Sequence, residues 1–202
     1  MSRIVKVALA VALIAVISGA AALALLLRHG FSARAQPLAT EAFVARRLRR
    51  LAIPRNAREA RDPIPGTPEI LAEARAHFAD HCAICHANDG NGNTAIGKNL
   101  YPKAPDMRKP NTQSLSDGEL FYIIHNGIRF TGMPGWGSAK VEEDQDSWKL
   151  VHFIRHLPHI TTEELAEMKQ MNPKSRREIE EEDEITKFLM GEEPNSPKGQ
   201  HH

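Results

Sequence analysis

Cys82-Ala83-Ile84-Cys85-His86 is the stretch on which the reading of this chain turns. Two cysteines with two residues between them, followed at once by histidine, form the attachment signature of a c-type haem. The spacing serves the chemistry. On one turn of helix both thiols point the same way and can each add to a vinyl group of one porphyrin. His86, next in the chain, can then present its imidazole to the iron as proximal ligand. These are the only two cysteines among 202 residues. A structural zinc site would need a second Cys/His pair, which is missing. A thioredoxin-type dithiol would sit near a βαβ pattern, and no strand-like run precedes Cys82. A Cys82–Cys85 disulfide would close a very small, strained loop.

Downstream, Gly132-Met133-Pro134-Gly135 lies in a Gly/Pro-rich loop preceded by Asn126-Gly127-Ile128-Arg129-Phe130-Thr131. With the haem motif, this loop resembles the monohaem class I cytochromes c over roughly residues 67–158. The resemblance implies an all-α fold wrapped around one covalent haem c, with no sheet. It also implies that Met133 is the second axial ligand of an iron held by His86, with Cys82 and Cys85 carrying the porphyrin. Met107 and His125 are the rival ligands. A carbonyl of the loop bearing Pro102 and Pro105 would accept the His86 Nδ1–H and strengthen the ligand. Arg129 is a candidate partner for a haem propionate, and Trp136 for packing near the haem edge.

The flanks lie outside the resemblance. From Ile4 to Leu27 only Lys6, Ser18 and Gly19 interrupt Ala, Val, Leu and Ile. About 20 apolar residues suffice to cross a bilayer. Ser18-Gly19-Ala20-Ala21-Ala22 imitates a signal-peptide cleavage site, but Leu23 to Leu27 continue the run past it, which favours an uncleaved anchor over residues 1–28 with a short cytoplasmic N-terminus. Arginines at 28, 34, 46, 47, 49 and 50 follow the anchor, so the positive-inside rule does not place the C-terminal side outside. Haem attachment, which the resemblance puts outside the bacterial cytoplasm, decides for a periplasmic domain on the inner membrane.

Residues 29–66 read as a basic juxtamembrane segment and proline-rich linker. Phe43, Val44, Leu48 and Leu51 recur at helical spacing among arginines, which suits a solvated helix or one lying on anionic head groups with its arginines snorkelling. The cytochrome unit is expected over 67–160. Thr67-Pro68-Glu69 opens a helix through Ala74 and Phe78 into the haem motif. Ser116 and Glu119 form a capping box for a middle helix ended by Gly127. Asp146 to Leu157 carries apolar residues at helical spacing and resembles the C-terminal helix that packs across the first. His152, His156 and His159 suggest a metal cluster by count, but solvent-facing histidines are the better reading. Residues 161–202 form a charged extension. Thr161 and Glu164 are expected to cap one helix, Ser175 to Leu189 to carry a solvated acidic face, and the tail from Gly191 to His202, ending in His201 and His202, reads as disordered.

The near-neutral charge of +1 gives no argument for nucleic-acid binding. The expected function is one-electron transfer between redox partner proteins in or at the membrane, with no catalytic acid, base or nucleophile and no small-molecule substrate. Two alternatives stand beside it. One is a haem enzyme or gas sensor with a labile sixth site. The other is a haem subunit of a larger dehydrogenase or oxidase complex.

Overall fold

The first helix, α1 (Arg3–His29), is the apolar run of the N-terminus. Of it, Arg3–Leu25 is long and apolar enough to cross a membrane, with 23 residues of mean hydropathy 2.6. None of the Arg3–Leu25 window is buried by the rest of the described chain. The computed structural model describes residues 2–29, 32–137 and 140–190. The tail from Gly191, with His201 and His202, lies outside the described residues. After α1 come α2 (Ala39–Ala52), α3 (Arg55–Glu59), α4 (Pro68–His77), a π-turn (Phe78–Cys82), α5 (Ala83–His86), α6 (Pro110–Gln113), α7 (Asp117–Asn126), α8 (Gln145–His156), α9 (Thr162–Met171) and α10 (Arg176–Leu189). Among the described residues there is no strand, so the expected all-α class is the observed one.

Local signals explain the helix starts. The Thr67 hydroxyl accepts the Ile70 N–H with Pro68 in the first turn, and complete capping boxes open α7 at Ser116/Glu119 and α9 at Thr161/Glu164. Each satisfies N–H groups that a helix end would otherwise leave without partners. The core forms where α4 crosses α8, the broadest contact between elements. Ala74 is small enough to let the two helices approach. Phe78 lies on Phe153 with ring centroids 4.9 Å apart, and both are fully buried. From α7, Phe121 stacks on Trp148 at 4.2 Å and joins Leu120 and Ile124 in the same cluster.

Two stretches read as flanks lie against this core. The chain from Ile53 to Gly66, expected as a linker, packs on α7 and α8: Ile53 is buried, Ala60 and Ile64 pack against the core cluster, and the Ser116 hydroxyl donates to the Arg58 carbonyl at 2.8 Å. At Gly118 a Cβ would strike the Ala57 carbonyl oxygen, so only glycine permits this approach of α3 to α7. Helix α9, expected in the extension, buries Met168 completely and holds α4 and α8 through Glu164, which meets Arg75 at 3.0 Å and His156 at 2.8 Å. By contrast, α10 keeps its acids and its apolar Ile179, Ile185 and Leu189 exposed, with Arg177–Glu181 and Lys174–Glu182 pairs along it.

The expected solvent-facing histidines differ from expectation at two of three positions. His152 is half-buried and its Nε2–H donates to the Ile64 carbonyl at 3.1 Å beside Asp62, and His156 is held by Glu164. Both face neighbouring elements because their side of α8 is covered by residues 62–66 and by α9. Only His159 is exposed.

Candidate haem site

Helix α4 does not stop before the cysteines. The Ala83 N–H reaches back to the Phe78 carbonyl, five residues away, which makes the π-turn and carries the helix into α5. Such turns insert one residue and redirect the side chains beyond them, often at functional sites. Here the redirected residues are Cys82, Cys85 and His86. The chain then leaves the helix through Ala87, whose φ of 61° is left-handed. The Gly92 N–H returns to the His86 carbonyl at 2.8 Å, and the Thr94 hydroxyl to the Cys85 carbonyl at 3.2 Å. At Gly97 a Cβ would collide with the Cys85 carbonyl oxygen. The loop after the motif is therefore packed onto the motif's own backbone.

His86 is buried, and its Nδ1 is a buried atom without a hydrogen-bond partner. The expected carbonyl from the Pro102–Pro105 loop does not meet it. That loop instead bonds back on itself and its neighbours, Ala104 N–H to the Gly97 carbonyl and Met107 N–H to the Gly90 carbonyl. Burial pushes the His86 imidazole down to about 4, so it is neutral at physiological pH, the state a metal ligand requires. Burial also pushes the Cys82 thiol up to about 12, with the nearby Cys85 adding to it, and raises Cys85 in turn. Both cysteines are free thiols. A redox-active dithiol depends on a depressed thiol pKa; these thiols are shifted the opposite way.

The Met133 loop hangs from the end of α7. The Trp136 and Gly137 N–H groups donate to the Ile124 and His125 carbonyls, each at 3.0 Å, and the Ile128 N–H to the Met133 carbonyl at 3.1 Å. The Met133 N–H is held by the Thr131 hydroxyl at 3.1 Å. Two contacts bring this loop to the motif. Leu100, in the post-motif loop, presses on Gly132 so closely that a Cβ there would lie 2.6 Å from it. On the other side Trp136 meets the ring of His81, next to Cys82, edge-on at 5.6 Å.

This segment has a match among known families. Residues 69–154 fit the family model described as cytochrome C oxidase, cbb3-type, subunit III. Residues 69–154 form a c-type cytochrome domain. No curated protein matches the chain. A cytochrome domain of this kind carries covalent haem c and serves haem-based electron transfer with redox partner proteins. The residues of the cytochrome site fit that group: a buried, neutral imidazole directly follows two free, protonated thiols at the CxxCH spacing.

The rival ligands are otherwise engaged. Met107 is packed into the hydrophobic core. The His125 Nδ1–H donates to Asp144 at 2.5 Å, with both side chains buried, and its ring stacks on Phe121 at 5.5 Å. Met133 is half-buried on its loop, and Arg129 is exposed. The cytochrome also holds a ring cluster that the motifs do not announce: His77 meets His81 edge-on at 4.9 Å, and His81 meets Trp136. The four-residue spacing of His77 and His81 was the only sign of it, since the helix brings such pairs together, and nothing in the chain forecasts Trp136 as the third member.

Proposed function

We propose that the chain is a membrane-anchored, single-pass cytochrome of the bacterial inner membrane whose haem domain faces the periplasm and carries single electrons between proteins in or at the membrane. The observation that carries the ligand set is the double contact of the Met133 loop with both flanks of the motif, Leu100 on Gly132 and Trp136 on His81. Helix α1, long and apolar enough to span, supports the anchor.

Cys82 and Cys85 would hold haem c by adding their S–H groups across its two vinyl groups, an addition that needs no oxidant. His86, neutral because it is buried, would supply the imidazole ligand to the iron, and Met133 the thioether ligand. Haem c, when bound, supplies a ferrous/ferric couple. The role of the chain is to hold that couple rigidly, to keep water away with α4, α7 and α8, and to leave no open sixth position. We place the folding unit from Ile53 to Asn172, wider than 67–160, because both flanks bury side chains in the core and the Asn172 amide reaches the Ala79 carbonyl at 3.2 Å.

Absorption spectra of the purified protein, with and without carbon monoxide, test this reading. A far-red sulfur-to-iron band in the ferric form and no carbon monoxide shift in the ferrous form are expected, and Met133→Ala should lose the first and gain the second. A Met133→Ala spectrum identical to the parent's overturns methionine ligation. A second reading is favoured by the family description itself: the chain is the haem subunit of an oxidase complex. Stable co-purification with further subunits after mild solubilisation would select it over a free-standing carrier.

A further inference from the structure

Helix α2 has two unlike faces. Ala42, Arg49 and Ile53, spaced seven and four apart, fall on one side and are the positions covered by the rest of the chain, Ile53 almost wholly at 2% exposure. Tyr101 fastens the helix by donating its hydroxyl to Glu41 at 2.6 Å. The side turned away from the cytochrome domain shows Phe43, Val44, Leu48 and Leu51, all more than half exposed and Leu51 at 77%. Around them stand Arg46, Arg47 and Arg50, all exposed. Arg47 lies over the Phe43 ring at 5.7 Å. Among the described residues none of the three arginines pairs with a carboxylate.

Four exposed apolar side chains in one patch, flanked by arginines that pair with no carboxylate among the described residues, form the pattern of a helix lying in a lipid interface. The covalent connection says which interface. Residues 30–38 join α1 to α2, and such a stretch spans at most about 30 Å fully extended, so α2 is tethered beside the bilayer that α1 enters. The rest of the described chain leaves the patch exposed.

We propose that α2 lies on the anionic headgroup layer of that bilayer, with Phe43, Val44, Leu48 and Leu51 among the acyl-chain ends and Arg46, Arg47 and Arg50 on lipid phosphates. The inference rests on the membrane-anchored reading above. It accounts for arginines on the side of the anchor where the positive-inside rule disfavours them: they serve as ligands for lipid phosphate. It also sets the orientation of the cytochrome domain, because α2 is fastened to it through Ile53 and the Tyr101–Glu41 bond and would hold one side of the domain against the membrane.

The test uses the full haem-loaded chain in vesicles of phosphatidylcholine with or without phosphatidylglycerol. Single nitroxide labels are placed at Leu48→Cys or Leu51→Cys, with Leu13→Cys in α1 and Ile185→Cys in α10 as references. In phosphatidylglycerol vesicles the α2 labels should shift about threefold or more toward oxygen over aqueous nickel accessibility, relative to the α10 label. Changing Arg46, Arg47 and Arg50 together to Gln should remove most of that shift, as should omitting phosphatidylglycerol. Labels on α2 as wet as that on α10, while the α1 label is lipid-shielded, overturn this inference and leave the anchor standing. An α1 label that is itself wet overturns both. Equal shielding in neutral and anionic vesicles overturns the assignment to anionic headgroups.

Discussion

His86 and Met133 are held in place by opposite means. His86 sits at the end of a continuous helical path from Pro68, buried, with the following loop closed onto its backbone through Gly92 and Gly97. Met133 sits on an irregular loop, half-buried, positioned by main-chain bonds to the end of α7 and by the edges of Leu100 and Trp136. The motif side is thus part of the core, and the loop side is attached to it. Substitutions that change one side should move global stability, while those on the other should move the spectrum and leave the fold in place.

The largest effect should come from Phe78→Ala. Phe78 is the first residue of the π-turn and is buried against Phe153, so truncation leaves a cavity under the motif and should cost about 3–5 kcal/mol. Denaturant unfolding of the haem-loaded protein followed by circular dichroism measures it. A loss under about 1 kcal/mol would mean that the motif side is not coupled to the core. Next is Gly97→Ala, whose new Cβ meets the Cys85 carbonyl. Overpacking of this kind costs roughly 1–3 kcal/mol, and the same unfolding curve should show it. An unchanged midpoint would break the claim that the post-motif loop is locked to the motif.

A smaller effect, and one that depends on pH, belongs to the support of the loop side. Burial alone would raise the Asp144 carboxyl, but hydrogen bonds from Ser147 and His125 outweigh it and hold the group below its ordinary range. A depressed carboxyl contributes stability that is present above its unfolded pKa and lost as pH falls through its folded value. Asp144→Asn keeps the helix cap on Ser147 but weakens the bond to His125, whose carbonyl anchors Gly137. It should cost about 1–3 kcal/mol at neutral pH, and the difference from the parent should close as the solution is acidified below the carboxylate range. Parallel stability curves across that range would show that Asp144 is not ionised in the fold.

What was legible in the sequence divides along the same lines. Signals that act within one turn, Thr67 with Pro68, Ser116 with Glu119, Thr161 with Glu164, were readable because a cap is a contact three residues long. The haem motif was readable for the same reason. The approach of Ala57 to Gly118, the Ser116 bond to the Arg58 carbonyl and the His152 bond to the Ile64 carbonyl were not. They join backbone atoms to residues 58 to 88 positions away, and proline punctuation pointed to a free linker. The π-turn has no residue signature, and the charged sequence of α9 concealed a single fully buried Met168.

The smallest expected change in stability sharpens the comparison most. Met133→Leu is a nearly volume-conserving swap on a half-buried loop side chain, and such changes usually cost less than about 1.5 kcal/mol. The backbone bonds that shape the loop, Ile128 to the Met133 carbonyl and Met133 to Thr131, use main-chain atoms that leucine retains. Unfolding should therefore barely move. The far-red band should nevertheless vanish and the ferrous protein should bind carbon monoxide, because leucine has no lone pair to offer the iron. A variant that keeps both fold and band would transfer the ligand role away from residue 133, and Met107→Leu would then be the next substitution to make. A variant that loses the fold along with the band would show that the loop is as much a part of the core as the helix bearing His86.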